Sequence, residues 1–228
     1  MISLFVRSYE KDFEWLSYSV KSMRVNLLGS VTEKVLVVPE HTEIPIDISS
    51  FFDKIVYTQE THKGYIAQQI DKIRAYKYCS NKYILFSDSD CIYYDPFDVD
   101  LWVNDGKCTL YKTLYDNIDD VTCKAWRETT YVAVGIDSEY EYMRCVPLIH
   151  NVETLILLDN HKLFNQHISH QDILLSEFNA LGVIAATELP HLYDIIEINE
   201  RPLAPKLPKQ YWSWGGFTDD IRKELEQI

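Results

Sequence analysis

Four apolar or aromatic residues, Tyr83-Ile84-Leu85-Phe86, run directly into Ser87-Asp88-Ser89-Asp90. A short unbroken apolar run of this kind, stopped by turn residues, reads as a buried strand. Strands buried on both faces belong to parallel sheets covered by helices. The carboxyl end of such a strand is where ligands sit in α/β proteins. Two carboxylates placed there repel one another unless a cation lies between them. Hard oxygen ligands suit Mg²⁺ or Mn²⁺, which complete their shells with phosphate oxygens and water. The bland alternative is a strand-end turn with two solvated aspartates.

Context carries this argument, because an Asp-x-Asp match alone is weak and about one chance match is expected in so acidic a chain. A second match, Asp98-Val99-Asp100, follows Asp95-Pro96-Phe97 with no strand in front of it and reads as solvated turn chemistry. The rest of the first half alternates strand and helix signals. Strands are expected at Ile2 to Val6, at Lys34 to Val38 (stopped by Pro39) and at Lys54 to Tyr57. Asp12 can cap a helix carrying Trp15, Leu16, Ser19, Val20 and Met23 on one face. A second helix is expected from Gly64 to Tyr78, with Ile66, Ile70 and Ile73 turned inward. The order β-α-β-β-α-β predicts an α/β fold with a largely parallel sheet. In the second half, Thr129 to Ile136 reads as a strand. Asn151 caps a helix over Val152 to Leu158, Ser169 caps another over Ile173 to Leu181, and Asp219 to Glu226 closes the chain. No linker rich in Gly, Ser or Pro divides the chain, so residues 1–228 are expected to form one domain.

The charge balance is acidic, with 22 basic against 35 acidic residues and a net charge of −13. That argues against a broad basic groove tracking nucleic-acid phosphates, though not against a local basic site. The five cysteines are odd in number and include no C-x-x-C pair, so neither a disulfide framework nor a zinc site is indicated. No basic leader precedes an apolar run at the N-terminus, and no stretch approaches the ~20 apolar residues of a membrane span. These features point to a cytoplasmic protein, bacterial or made in an infected host cell.

The run Gly64-Tyr65-Ile66-Ala67-Gln68-Gln69-Ile70-Asp71-Lys72, followed by the Tyr83–Asp90 junction, resembles the small GT-A-like glycosyltransferases of bacteria and bacteriophages. In that group a helix "GYxxQQxxK" precedes a strand ending in a D-x-D motif. Phe5-Val6-Arg7-Ser8-Tyr9-Glu10-Lys11-Asp12, Ser176-Glu177-Phe178-Asn179 and Trp212-Ser213-Trp214-Gly215 resemble further segments of it, in the same order. The resemblance implies a Rossmann-like GT-A domain, a nucleotide-sugar donor and a divalent cation, Mn²⁺ or Mg²⁺. It places Arg7 and Ser8 at the donor nucleotide and makes Asp88 and Asp90 the metal motif. Residues 1–100 or so would bind the donor, and 101–228 would hold the acceptor and the tail. Many GT-A enzymes add a late histidine ligand. His191 is the nearest candidate, but it follows Pro190 in an expected loop and reads better as a surface histidine.

Several other residues stand out. Tyr65, Gln68, Gln69, Lys72 and Tyr76 share the helix flank opposite the isoleucines. With the resemblance, Gln69 and Lys72 become donor-binding candidates, Lys72 as a point cation for phosphate. Glu177 falls at 100° per residue within the arc of Ile173, Leu174, Phe178 and Leu181. A carboxylate in an apolar stripe is costly unless paired or used. It is therefore either a catalytic base or acceptor-hydroxyl ligand, its pKa raised by burial, or half of a buried salt bridge with Arg127 or Arg144. Asp172 has capping-box spacing from Ser169, which explains it without catalysis. Trp212 and Trp214, beside Gly215-Gly216, either stack on sugar or base, with Trp214 touching the donor, or pack the last helix onto the core. Trp126-Arg127-Glu128 joins an acceptor pocket on family position only.

The reading is thus a metal-dependent glycosyltransferase whose acceptor is a glycan by preference, with protein, lipid-linked sugar or a modified DNA base also open. Its rivals are a haloacid-dehalogenase-like phosphatase, which needs a later acidic motif where only Asp219-Asp220 is available, a sugar nucleotidyltransferase, which needs a Gly-rich first loop, and an inactive GT-A module.

Overall fold

The computed structural model describes residues 1–62, 64–118, 121–144, 148–170, 174–198 and 207–228, without the side chains of 121–124 and 214. The main sheet is built from β1 (Ile2–Arg7), β2 (Val31–Pro39), β3 (Lys54–Thr58) and β4 (Tyr83–Phe86). A later strand joins it, which we label β6 (Leu148–Asn151), because β5 (Lys107–Leu114) lies in a second sheet. The order is β6-β4-β1-β2-β3, with β6 antiparallel to β4 and every other pair parallel. All six residues of β1 are buried, as expected of the middle strand of a sheet covered on both faces. The protein is therefore mixed α/β with a mainly parallel central sheet flanked by helices.

The helices bracket this sheet. α1 (Phe13–Asn26) links β1 to β2, and α2 (Gly64–Ile73) links β3 to β4. α2 ends earlier than its sequence suggests; a separate 3₁₀ turn, Ala75–Lys77, completes the segment. β1 passes to β2 on one side, and the chain then returns across β1 to place β4 on the other. A crevice opens where the connections diverge, at the carboxyl ends of β1 and β4. Its walls are stitched together, with Ser89 Oγ donating to Ser8 Oγ at 2.9 Å.

The second sheet sets β5 between β7 (Tyr193–Glu197), parallel to it, and the short strand Tyr140–Glu141. Here the sequence reading needs correction. Thr129 to Ile136 is not a strand; Val121–Val134 is a helix, α3. Its β-branched and aromatic residues mislead, but its burial has helical period, with Thr130, Ala133 and Val134 inside and Tyr131 and Val132 exposed. Asn151 does cap α4 (Val152–Asp159), accepting from the Glu153 N–H. Ser169 is no N-cap; it is the C-cap of the preceding helix. It follows α5 (Lys162–Ile168), and the next helix, α6 (Glu177–Thr187), is capped by Ser176 through the Asn179 N–H. Asp172 and Ile173 lie outside the described residues.

One hydrophobic cluster runs from Ile2 in β1 to Ile196 in β7. A smaller one packs the end of the chain. Lys209–Gln210 pairs antiparallel with Cys91–Ile92, and α7 (Asp219–Leu225) buries Leu225 against Trp15 and Ile92. The last residues are thereby carried back beside the β4 turn.

α6 packs closely enough that its glycine matters. A Cβ on Gly182 would land on Cβ and Cγ of Tyr142, atoms fixed near that residue's own backbone. Alanine gains about 1 kcal/mol over glycine in a helix interior, whereas overpacking costs about 1–3 kcal/mol. With so direct an overlap the clash wins. Gly182→Ala is expected to lower Tm by about 2–6 °C in a calorimetric scan, where an open site would show a rise.

Candidate functional site

The crevice is the mouth of a cleft of about 490 Å³. Of the residues singled out in the sequence, Arg7, Gln69, Lys72, Asp88, Asp90 and Glu177 all line it. Ser8 lies just behind, bonded to Ser89. The side chain of Trp214 lies outside the described residues, whereas Trp212 lines the mouth and is 40% exposed. His191 is exposed in the turn Pro190–Leu192 and does not line the cleft.

Three elements meet at one buried cation. α2 turns Ile66, Ile70 and Ile73 into the core and leaves Gln69 and Lys72, each 3% exposed, at the cleft wall. Lys72 Nζ lies 2.6 Å from Asp88 Oδ1 at the end of β4 and 2.8 Å from Glu177 Oε1 at the start of α6. Burial by itself would push this amine towards neutrality. The charges of Asp88 and Glu177 outweigh it and hold Lys72 well above the usual lysine range. Glu177 does form a buried salt bridge, but its partner is Lys72 and neither of the two arginines. Arg127 pairs with Asp137, and Arg144 with Glu141. The arc that singled out Glu177 is also corrected: Leu174 precedes α6 and is 40% exposed, so Glu177 opens the helix rather than interrupting an apolar stripe.

Arg7 is similarly committed. Its Nε donates to Asp71 Oδ2 at 3.1 Å, Nη2 to Glu60 Oε1 at 2.9 Å, and Nη1 to the Ser8 carbonyl at 2.6 Å. Asp71 sits behind it, on the same helix as Lys72, and also accepts from Thr58 at 3.1 Å. The cleft is consequently lined by Asp12, Glu60, Asp88, Asp90 and Glu177 against Arg7 and Lys72, an excess of carboxylates.

The D-x-D segment is held from the far end of the chain. Gln210 Nε2 reaches Asp88 Oδ2 at 3.4 Å, the Tyr211 N–H donates to the Asp90 carbonyl, and the Ser213 N–H donates to Asp90 Oδ2 at 2.6 Å. Asp90 Oδ1 remains buried without a partner in a residue only 5% exposed. Burial first, and the Asp88 charge second, raise the Asp90 pKa. Asp12 behaves likewise: burial, then the charges of Asp90 and Asp88, push it up to about 6. Its side chain makes no capping bond to α1, so it serves the cleft and not the helix end. Tyr65, also lining the cleft, is pushed up to about 12 by burial and the Glu177 charge.

Among the described residues no group of three or more His, Cys, Asp or Glu side chains is arranged to hold a metal ion. Two carboxylates are enough for a cation of the Mg²⁺ kind only when phosphate and water supply the other ligands. The unpartnered Oδ1 of Asp90 fits that demand. The other acidic repeat does not compete, since Asp98 accepts from the Asp100 N–H and Asp100 from Ser30, closing a surface turn.

Sequence reasoning missed Asp12 as a cleft residue, along with Glu60, Met143, Gln210 and the Ser213 N–H. Asp12 had a signal, its place a few residues beyond the end of β1. The others come from distant segments brought together by packing. No protein-family model matches this sequence, and no curated protein matches it.

The raised pKa of Asp12 has a definite sign. Below pH 4 the group is protonated folded or unfolded and costs nothing. As pH rises past about 6 the folded state must carry an unwelcome charge, so stability is lost upward through that window. Asp12→Asn is therefore expected to match the parent in Tm at pH 3 and to exceed it by a few degrees at pH 7.5. Solvent screening of this half-exposed group holds the gain to about 1 kcal/mol. Equal Tm values at both pH values would show that Asp12 does not feel Asp88 and Asp90.

Proposed function

We propose that this protein is a metal-dependent glycosyltransferase of the GT-A type, acting on a nucleotide-sugar donor. The carrying observation is Asp88 and Asp90 at the carboxyl end of β4, beside a strand-order crevice, with a buried oxygen of Asp90 lacking a partner. Asp88 and Asp90 would hold Mn²⁺ or Mg²⁺, which when bound offsets charge on a departing nucleoside diphosphate. Arg7, fixed by Asp71 and Glu60, and Ser8 edge the same crevice from β1. Lys72 gives the cleft its second cation. Glu177 faces the cleft from α6, and in this reading it takes a proton from an acceptor hydroxyl.

The excess of carboxylates bears on the acceptor. A neutral sugar hydroxyl enters such a cleft without electrostatic cost, whereas a nucleic-acid backbone would be repelled. Aromatic edges at Tyr65, Trp126 and Trp212 suit the apolar face of a sugar ring. A glycan acceptor is the reading these features favour. The phosphatase alternative finds less support, since Asp219 and Asp220 open α7 in exposed positions and do not line the cleft. Among the described residues no helix is long and apolar enough to cross a membrane.

A thermal-shift panel of nucleoside diphosphates and nucleotide sugars, with and without Mn²⁺, tests the donor reading. Ligand at a hundred times Kd stabilises by about 2.7 kcal/mol, roughly 5–10 °C for a chain of this size. One nucleotide is expected to give such a shift only with Mn²⁺, and Asp90→Ala to abolish it. Undiminished binding by Asp90→Ala would remove the site assignment. Glu177→Gln is expected to keep the nucleotide shift while kcat falls by about a hundredfold or more. Unchanged turnover would exclude Glu177 as the base.

A further inference from the structure

The cation on Asp88 in this structure is a lysine. Lys72 Nζ lies 2.6 Å from Asp88 Oδ1 and 2.8 Å from Glu177 Oε1, with its side chain 4% exposed. It also lies 4.6 Å from the centre of the Phe178 ring. Asp90 has no comparable partner, because its Oδ1 is buried and unbonded. The aspartate pair is thus half served, one member by an internal ammonium and the other by a single backbone N–H from Ser213. A divalent cation shared by both aspartates competes with that ammonium for Asp88, since like charges a few ångströms apart in a cleft shielded from water repel.

We propose that Lys72 is the built-in counter-ion of the cation site, resting on Asp88 and leaving it when an anionic ligand arrives. The inference rests on the reading of Asp88 and Asp90 given above. The lysine side chain suits the task, being a compact point charge on a flexible stem. Glu177 can keep hold of it during the move, since the second ion pair does not involve Asp88. Two consequences follow from charge alone. A divalent cation by itself binds weakly, because it must displace Lys72 with no new partner on offer. A phosphate-bearing ligand favours the cation, because it gives Lys72 somewhere to go.

The test uses Mn²⁺ alone on the full chain, with the free ion counted by electron paramagnetic resonance. Lys72→Met is expected to bind Mn²⁺ about tenfold more tightly than the parent, and Lys72→Arg to remain as weak as the parent. Removing Lys72 leaves Asp88 and Glu177 without the ammonium they share. The double variant Lys72→Met/Glu177→Gln removes one charge of each sign, and the same gain is expected of it. In either background, adding Asp90→Ala should erase the gain. Folded variants that bind Mn²⁺ no more tightly than the parent overturn the proposal, as does a gain that survives Asp90→Ala. A measurement on the unaltered chain stands beside these: the Lys72 ammonium should give a protected NMR signal that shifts on saturation with Mg²⁺, and an unmoved signal overturns the proposal. The two readings fail separately. Tight Mn²⁺ binding by Lys72→Met in a protein that binds no nucleotide would end the transferase reading and leave the counter-ion assignment standing. Mn²⁺-dependent nucleotide binding with no gain in Lys72→Met would do the reverse.

Discussion

Five carboxylates face one cleft, and both cations that answer them are already in use. Arg7 is divided between Asp71 and Glu60, Lys72 between Asp88 and Glu177. The buried pairs among these, Arg7–Asp71 and Lys72–Glu177, gain little over apolar side chains of the same volume, yet removing one member costs about 3–5 kcal/mol. The network is therefore a poor way to hold a fold together, and this fold has no need of it. The central sheet already buries long runs of β1, β2 and β4 in a continuous apolar core. What the network does is fix the positions of charged groups at the one place where the strand order leaves a gap.

The backbone delivers those groups with economy. β1 and β4 end side by side, so Ser8 and Ser89 touch, and Arg7 and Asp88 stand on adjacent strand ends. α2 contributes on both sides of the cleft wall, with Asp71 behind Arg7 and Lys72 against Asp88. A helix that offers successive residues to two different partners must be fixed in rotation, and the isoleucines at Ile66, Ile70 and Ile73 fix it. Glu177 arrives by a different route. Ser176 caps α6, and the capped first turn places Glu177 at the cleft.

Much of this was legible in the sequence, and the reasons differ by residue. Tyr83 to Asp90 is a local signal, a strand followed by its own turn, and the structure keeps it. Helical period makes Tyr65, Gln68, Gln69 and Lys72 visible as one flank of α2, whereas Tyr76, read with them, lies beyond the helix end and bonds Asp159 instead. Glu177 was singled out for a faulty reason, an arc drawn through Leu174 that does not belong to the helix, and its partner was misjudged. Lys72 lies on α2, far from Glu177 in sequence, and only the packing of α2 against α6 brings them to 2.8 Å. The strand expected at Thr129 to Ile136 failed because β-branched residues carry a weaker message than the tertiary contacts that decide helix or strand. The clasp of Ser213 on Asp90 had no local signal, since it depends on Lys209–Gln210 pairing with Cys91–Ile92.

That clasp carries a visible cost. Trp212 adopts φ of 56°, a left-handed conformation that bulky residues avoid. Strain of this type runs to about 1–3 kcal/mol and persists only where the surroundings impose it. Here they do. The Tyr211 N–H is bonded to the Asp90 carbonyl, the Ser213 N–H to Asp90 Oδ2, and the Gly215 N–H back to the Trp212 carbonyl, so the turn is pinned on both sides of the strained residue. Relaxing Trp212 would swing the Ser213 N–H away from Asp90. Both oxygens of the carboxylate would then lack a partner, in a place where burial already disfavours its charge. The strained turn thus keeps one oxygen of Asp90 occupied and leaves the other bare.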